Sequence, residues 1–91
     1  MKYEIKPSGQ FKKDLKLVLK RGYKIKLLTD VIDLLANGEI LPEKYKDHSL
    51  IGNYAECREC HITPDWLLIY KISNNELILF LTRTGTHSDL F

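Results

Sequence analysis

Three histidines, one aspartate and one arginine stand near the ends of elements in this chain: His48, His61, Asp65, Arg83 and His87. Imidazoles take up and release protons near neutral pH. A guanidinium is a fixed planar cation suited to phosphate. Brought together, the five fit cleavage of RNA through its own 2′-hydroxyl. A base removes the hydroxyl proton and the oxygen attacks the adjacent phosphorus. Arg83 stabilises the added negative charge, and an acid protonates the departing 5′-oxygen. That reaction needs no metal, so no cofactor is expected. Each histidine taken alone reads more readily as a surface or hydrogen-bonded structural residue; their position at element ends favours a site. His61 and Asp65 are close in any register. Arg83 and His87 join them only if the tail folds back, a turn that Gly85 permits. Which histidine is base and which acid stays open.

Other residues carry two readings. Cys57, Cys60, His61 and His48 could be zinc ligands, but Cys60 and His61 are adjacent on a strand and point to opposite faces. A redox C-x-x-C belongs at a helix start, whereas this one falls in a strand-like stretch. Both cysteines are therefore read as ordinary thiols. Trp66 and Phe91 are core anchors or rings on which a base stacks. Phe91, at the end of the sequence, buries nothing unless it docks. Arg58 is a cross-strand ion-pair partner or a second phosphate ligand. Lys46, two residues before His48, is a further candidate RNA contact.

The elements that must position these groups follow from periodicity. Alternation over residues 2–6 predicts a first strand, stopped by Pro7. Ser8 caps a helix with Phe11, Leu15, Val18 and Leu19 on one stripe, and Gly22 ends it. Ile25, Leu28, Ile32 and Leu35 mark a second helix that stops at Asn37-Gly38. Residues 39–51 read as an irregular loop. Three strands follow, over residues 54–62, 66–72 and 76–82, joined by the turns Thr63-Pro64-Asp65 and Ser73-Asn74-Asn75. The expected fold is α+β: a two-helix hairpin packed on one face of a mainly antiparallel, four-stranded sheet.

At 91 residues, with 44% hydrophobic and 29% charged residues, one packed domain over residues 1–91 is expected rather than disorder. No run is long enough to span a membrane and no signal-peptide pattern is read, so a cytoplasmic location is expected. Net charge is only +2. Between Lys2 and Lys26, however, nine cations face only Glu4 and Asp14. This excess suits phosphate, an acidic protein segment or a solvated face.

Three stretches taken together, YKDHSL (45–50), RECHITPDWLLIYKI (58–72) and LTRTGTHSDLF (81–91), resemble the YafQ-type branch of the RelE/ParE toxins of bacterial type II toxin-antitoxin systems. SGQFKKDLKL (8–17) is similar to that family's entry into its first helix. The resemblance implies a RelE-like fold and an mRNA interferase that cuts messenger RNA, typically in the ribosomal decoding site, and so halts translation. It places His48, His61, Asp65, Arg83 and His87 on the family's catalytic positions. Trp66 and Phe91 fall on aromatics tied to activity or substrate placement. Relatives tend to carry a small residue shortly before the arginine that matches Arg58; here Glu56 and Cys57 stand there, a departure that touches strand shape. The implied partners are messenger RNA and the ribosome, a cognate antitoxin, and operator DNA only through the antitoxin complex. The rival expectation is a non-enzymatic, ParE-like toxin of the same fold that binds DNA gyrase, which has no reason to keep this acid-base inventory. A third is a small nucleic-acid-binding module that uses the basic helices.

Overall fold

Alternation of Tyr3 and Ile5 with charged neighbours forms the first strand. In the computed structural model, which describes residues 1–91, this strand is β1 (Glu4–Pro7). It is followed by α1 (Gly9–Lys20), α2 (Ile25–Ala36), β2 (His48–Ser49), β3 (Arg58–Thr63), β4 (Trp66–Ser73), β5 (Ile78–Gly85) and α3 (His87–Leu90). The sheet order is β1-β5-β4-β3-β2. β1 lies parallel to β5 and the other pairings are antiparallel. Pro7 is tolerated because β1 is an edge strand.

The Ser8 hydroxyl accepts the Phe11 N–H at 2.9 Å and donates to the Thr82 carbonyl at 2.8 Å. One side chain thus caps α1 and fastens it to β5. Phe11, Asp14 and Val18 face inward from α1, and Leu28, Val31, Leu35 and Ala36 from α2. The expected stripes were off by part of a turn. Leu19 and Ile25 are exposed, and Asp14 takes an inward position because Arg83 pairs with it. Helix residues pack against Cys60, Ile62, Trp66, Leu68, Tyr70, Leu79 and Leu81. The opposite face carries a smaller core of Leu67, Ile69 and Leu90. β4 is therefore buried on both faces, which explains its unbroken apolar run.

The sheet has five strands, not four. His48 pairs with Glu59 and Ser49 with Arg58, inside a stretch read as irregular because two residues carry no period. The next strand starts at Arg58 rather than Tyr54, since Gly52–Tyr54 forms a 3-10 turn with Gly52 at φ +72°. Cys57 consequently lies outside the strand. β5 is displaced toward the tail, because Leu77 at φ 55° prolongs the preceding turn.

One irregularity sets the direction of Arg83. Tyr70 pairs with Leu81, but Ile69 pairs with Arg83, so Thr82 is an extra residue in β5. Leu81 and Arg83 would otherwise share a face. The bulge turns Arg83 onto the Ile69 side, away from the helices. No helix is long and apolar enough to cross a membrane.

Candidate functional site

The face away from the helices has Leu67 and Ile69 as its floor. The two-residue strand period puts Glu59 and His61 of β3 on this face and Arg58 and Cys60 on the other. β2 brings His48 opposite Glu59. His48 Nε2 lies 3.4 Å and His61 Nε2 3.7 Å from Glu59 Oε1. Both rings turn the other nitrogen to a backbone carbonyl: His48 Nδ1 to Lys46 at 2.8 Å and His61 Nδ1 to Pro64 at 3.4 Å. A carbonyl only accepts, so Nδ1 carries the proton in this arrangement and Nε2 is left facing Glu59. Glu59 is only 4% exposed and its Oε2 has no partner. A buried carboxylate oxygen without a partner is costly unless a positive charge sits nearby.

The tail supplies the facing wall. At the end of β5, Gly85 adopts φ +154°, and a Cβ there would lie 2.9 Å from Asp89 Oδ2. The Thr86 hydroxyl accepts the Asp89 N–H, and the Asp89 carboxylate accepts the Thr86 N–H at 2.9 Å, a capping box that starts α3. Asp89 also accepts two bonds from Arg21 at the end of α1, at 2.6 and 3.0 Å. The Arg21 guanidinium and the Thr86 N–H hold the Asp89 carboxyl well below the usual range. Leu90 plugs into the floor. His87 at the start of α3 places Nδ1 2.8 Å from Asp65 Oδ1, and its N–H reaches the same oxygen at 3.3 Å. These bonds, the side-chain one first, lower the Asp65 pKa. His61 is the middle member of the row, with ring centroids 6.2 Å from His48 and 5.7 Å from His87.

Arg83 faces the same side from β5. β1 ends opposite Leu81, which leaves the outer edge of β5 unpaired beyond it. Asp14 of α1 fills that gap. It accepts Arg83 Nε at 2.7 Å, Arg83 Nη2 at 3.1 Å and the Thr84 N–H at 3.2 Å. Burial pushes the Asp14 carboxyl up, but bonds from Arg83, Gln10 and Thr84 outweigh burial and leave it below its ordinary value. Arg83 Nη1 points instead toward the Tyr54 hydroxyl, at 3.4 Å.

The structure thus joins His48, His61, Asp65 and His87 in one row, with Arg83 on the same face. Other expected contacts fall elsewhere. Trp66 is 1% exposed, donates to the Thr84 hydroxyl at 2.9 Å and meets the Tyr23 ring edge-on at 5.0 Å. It is a core anchor with no free face for a base. Arg58 is tied to Asp47 at 3.0 Å and to Ser49 at 2.8 Å, on the helix side of the sheet. The ion-pair reading holds for it, and Asp47 also bonds the Tyr70 hydroxyl. Phe91 is 65% exposed, but its ring packs edge-on against Tyr54 at 5.9 Å. Lys46 is exposed at φ 50° and supplies the carbonyl that orients His48.

Sequence reasoning missed Glu59, Asp14 and Tyr54. Glu59 precedes His61 by two residues on a strand, a signal that was present. Asp14 interrupts an apolar stripe between Phe11 and Val18, also a usable sign. Nothing marks Tyr54. For metals, the donors of His48, Glu59 and His61 lie within 4.8 Å of one another and could hold an ion. Cys60 cannot join them: it lies in the helix-side core, where burial, with Asp47 and Glu59, pushes its thiol up to about 12.

Comparison with known proteins adds the class. A toxin solved from Helicobacter pylori in a metal-bound form shares 48% identity with this chain at a TM-score of 0.91, covering 98% of this chain and 99% of that one. YafQ in the Escherichia coli DinJ-YafQ complex shares 43% at a TM-score of 0.89, covering 98% of each. The fold is therefore that of the small RelE-like α+β toxins. In sequence, the mRNA interferase toxin YafQ of Escherichia coli K12 is 44% identical over 89 residues, 97% of this chain and 95% of the relative. A family model described as the YafQ toxin of bacterial type II toxin-antitoxin systems matches residues 3–91, and the chain belongs to that family.

Proposed function

We propose that this protein is the toxin of a type II toxin-antitoxin system and acts as an mRNA interferase, an endoribonuclease that stops translation. The observation that carries this reading is the row of three imidazoles, two of them presenting Nε2 to Glu59 and the third set by Asp65. Ring separations near 6 Å let neighbouring imidazoles reach the 2′-oxygen and the 5′-oxygen of one phosphodiester. One Nε2 takes the 2′-hydroxyl proton as that oxygen attacks phosphorus. A second imidazole returns a proton to the departing 5′-oxygen. Glu59 stabilises the imidazolium formed beside it, and Asp65 does the same for His87. Arg83, held by Asp14, meets the negative charge that builds on the phosphoryl oxygens. Phe91 and Lys46 contact the RNA at the rim. Each step is a proton transfer or an oxygen exchange at phosphorus, so the reaction as drawn needs no metal.

The named relatives support the activity, and one of them occurs in a complex with DinJ. In this reading the chain cuts messenger RNA in the ribosomal decoding site, in the cytoplasm. It is masked by a cognate antitoxin and meets operator DNA only through that complex. The cation-rich residues 2–26 suit ribosomal RNA or an acidic antitoxin segment.

The test is inducible expression in bacteria with RNA ends mapped. Wild type should arrest growth and create new ends inside coding regions, and His61→Ala and His87→Ala should do neither. Arrest without new ends would favour the gyrase-binding alternative.

A further inference from the structure

Past His61 the end of the sheet opens into a cleft of about 360 Å³ between the Lys44–Lys46 segment, Leu27 of α2 and the Thr63-Pro64 turn. Leu27 and Thr63 also line a second hollow of about 150 Å³, which continues toward Tyr23 and Lys24. The two share walls and form one groove. It starts at an imidazole of the proposed site and runs along the beginning of α2. The first hollow lies near the lower end of the ~300–1,000 Å³ that small-ligand sites occupy, the scale of one nucleotide.

The lining has two kinds of chemistry. Lys24, Lys44 and Lys46 bring three cations, and no carboxylate lines either hollow. Between the lysines lie apolar and aromatic surfaces. Leu27 is 42% exposed at a helix position where solvent gains nothing from it. Lys44 Nζ sits 5.0 Å over the Tyr45 ring centroid, so cation and ring occupy one wall. A groove that alternates cations with flat or apolar side chains is how proteins hold a single strand without reading its sequence.

We propose that this groove binds single-stranded RNA, holding the nucleotides that adjoin the scissile phosphate on one side. Lys24, Lys44 and Lys46 contact the phosphates, and Leu27 and Tyr45 support the bases. The inference rests on the ribonuclease reading for its direction, because His61 is the wall common to groove and site. An acidic segment of an antitoxin is the competing occupant.

The experiment separates the two readings by measuring binding as well as cutting. A fluorescein-labelled hexanucleotide RNA is titrated by anisotropy at several salt concentrations into the His87→Ala background, with melting curves as a fold control. Lys44→Ala with Lys46→Ala should reduce the slope of log Kd against log salt by about 1.4, near 0.7 per phosphate contact on a single strand. Leu27→Ala removes the apolar support without altering charge, and should weaken binding about tenfold at unchanged slope. If both variants bind as the parent does, the groove is not an RNA site. The proposal is equally lost if Leu27→Ala abolishes capture by a purified acidic antitoxin segment and leaves RNA binding intact. If the parent sequence carrying His87 binds RNA through the groove but never cuts it, the groove stands and the ribonuclease reading falls.

Discussion

Two ion pairs flank the proposed site, and they are built in opposite ways. Arg83 and Asp14 meet at the outer edge of β5, with side chains 23% and 8% exposed. They lock through two guanidinium nitrogens, and the Thr84 N–H joins the same carboxylate. His87 and Asp65 meet in solvent, 53% and 69% exposed, through one ring nitrogen and one N–H. The first arrangement suits a charge that must stay fixed while a transition state forms. The second suits a group that must exchange a proton with water in each turnover. A fixed cation and an exposed imidazole on one cleft follow from placing one on a bulged strand and the other on a four-residue helix.

The largest expected effect breaks the buried pair. Arg83→Ala leaves Asp14 buried without its cation, which should cost about 3 kcal/mol in urea unfolding. Cleavage should slow by about 10² to 10³. Asp14→Asn keeps the arginine but frees it, and a misplaced phosphate partner should lower the cleavage rate by up to about 10². Since Asp14 acts through Arg83, adding Asp14→Asn to Arg83→Ala should change the rate little further, and a rate cycle measures that coupling.

Acid unfolding sharpens the comparison. The Asp14 carboxyl is held below its ordinary 3.8, so its stabilising contribution is complete above that value. It is lost as pH falls through the lower folded-state value. Asp14→Asn should therefore flatten the stability-against-pH curve below about pH 4, which denaturant titrations at several pH values resolve. At the exposed pair, Asp65→Asn should leave the melting temperature nearly unchanged and lower the cleavage rate about tenfold, mainly in kcat, because His87 loses its orienting partner. The smallest change expected is from Arg21→Ala, which loosens α3 but leaves the capping box and Leu90 in place. A modest rise in amide exchange across residues 86–91 should report it.

The helix pair, the β3-β4-β5 meander and the α+β class were legible because Phe11, Val18, Leu28 and Leu35 follow helical spacing and the Trp66 run and its neighbours read as strands. β2 was not legible, since His48 and Ser49 pair only when Glu59 and Arg58 are already in place. The histidine row was legible in its members but not in its centre. Glu59 shares a strand face with His61 by its spacing, but its burial shows only once the sheet is assembled. Trp66 and Arg58 were ambiguous for the same reason: local pattern does not say which side of a strand the helices cover. The position of Arg83 depends on a bulge, and a one-residue insertion in pairing leaves no mark on periodicity.

The central claim is that the RNA's own 2′-oxygen attacks phosphorus under acid-base control by the histidine row. The direct measurement is cleavage of one message by the purified protein on ribosomes, with and without a 2′-deoxy substitution at the nucleotide whose 3′-phosphate is cut. Loss of cleavage at that position, with 5′-hydroxyl ends on the unsubstituted product, is the predicted result. Cleavage of the deoxy-substituted message at an undiminished rate would contradict it.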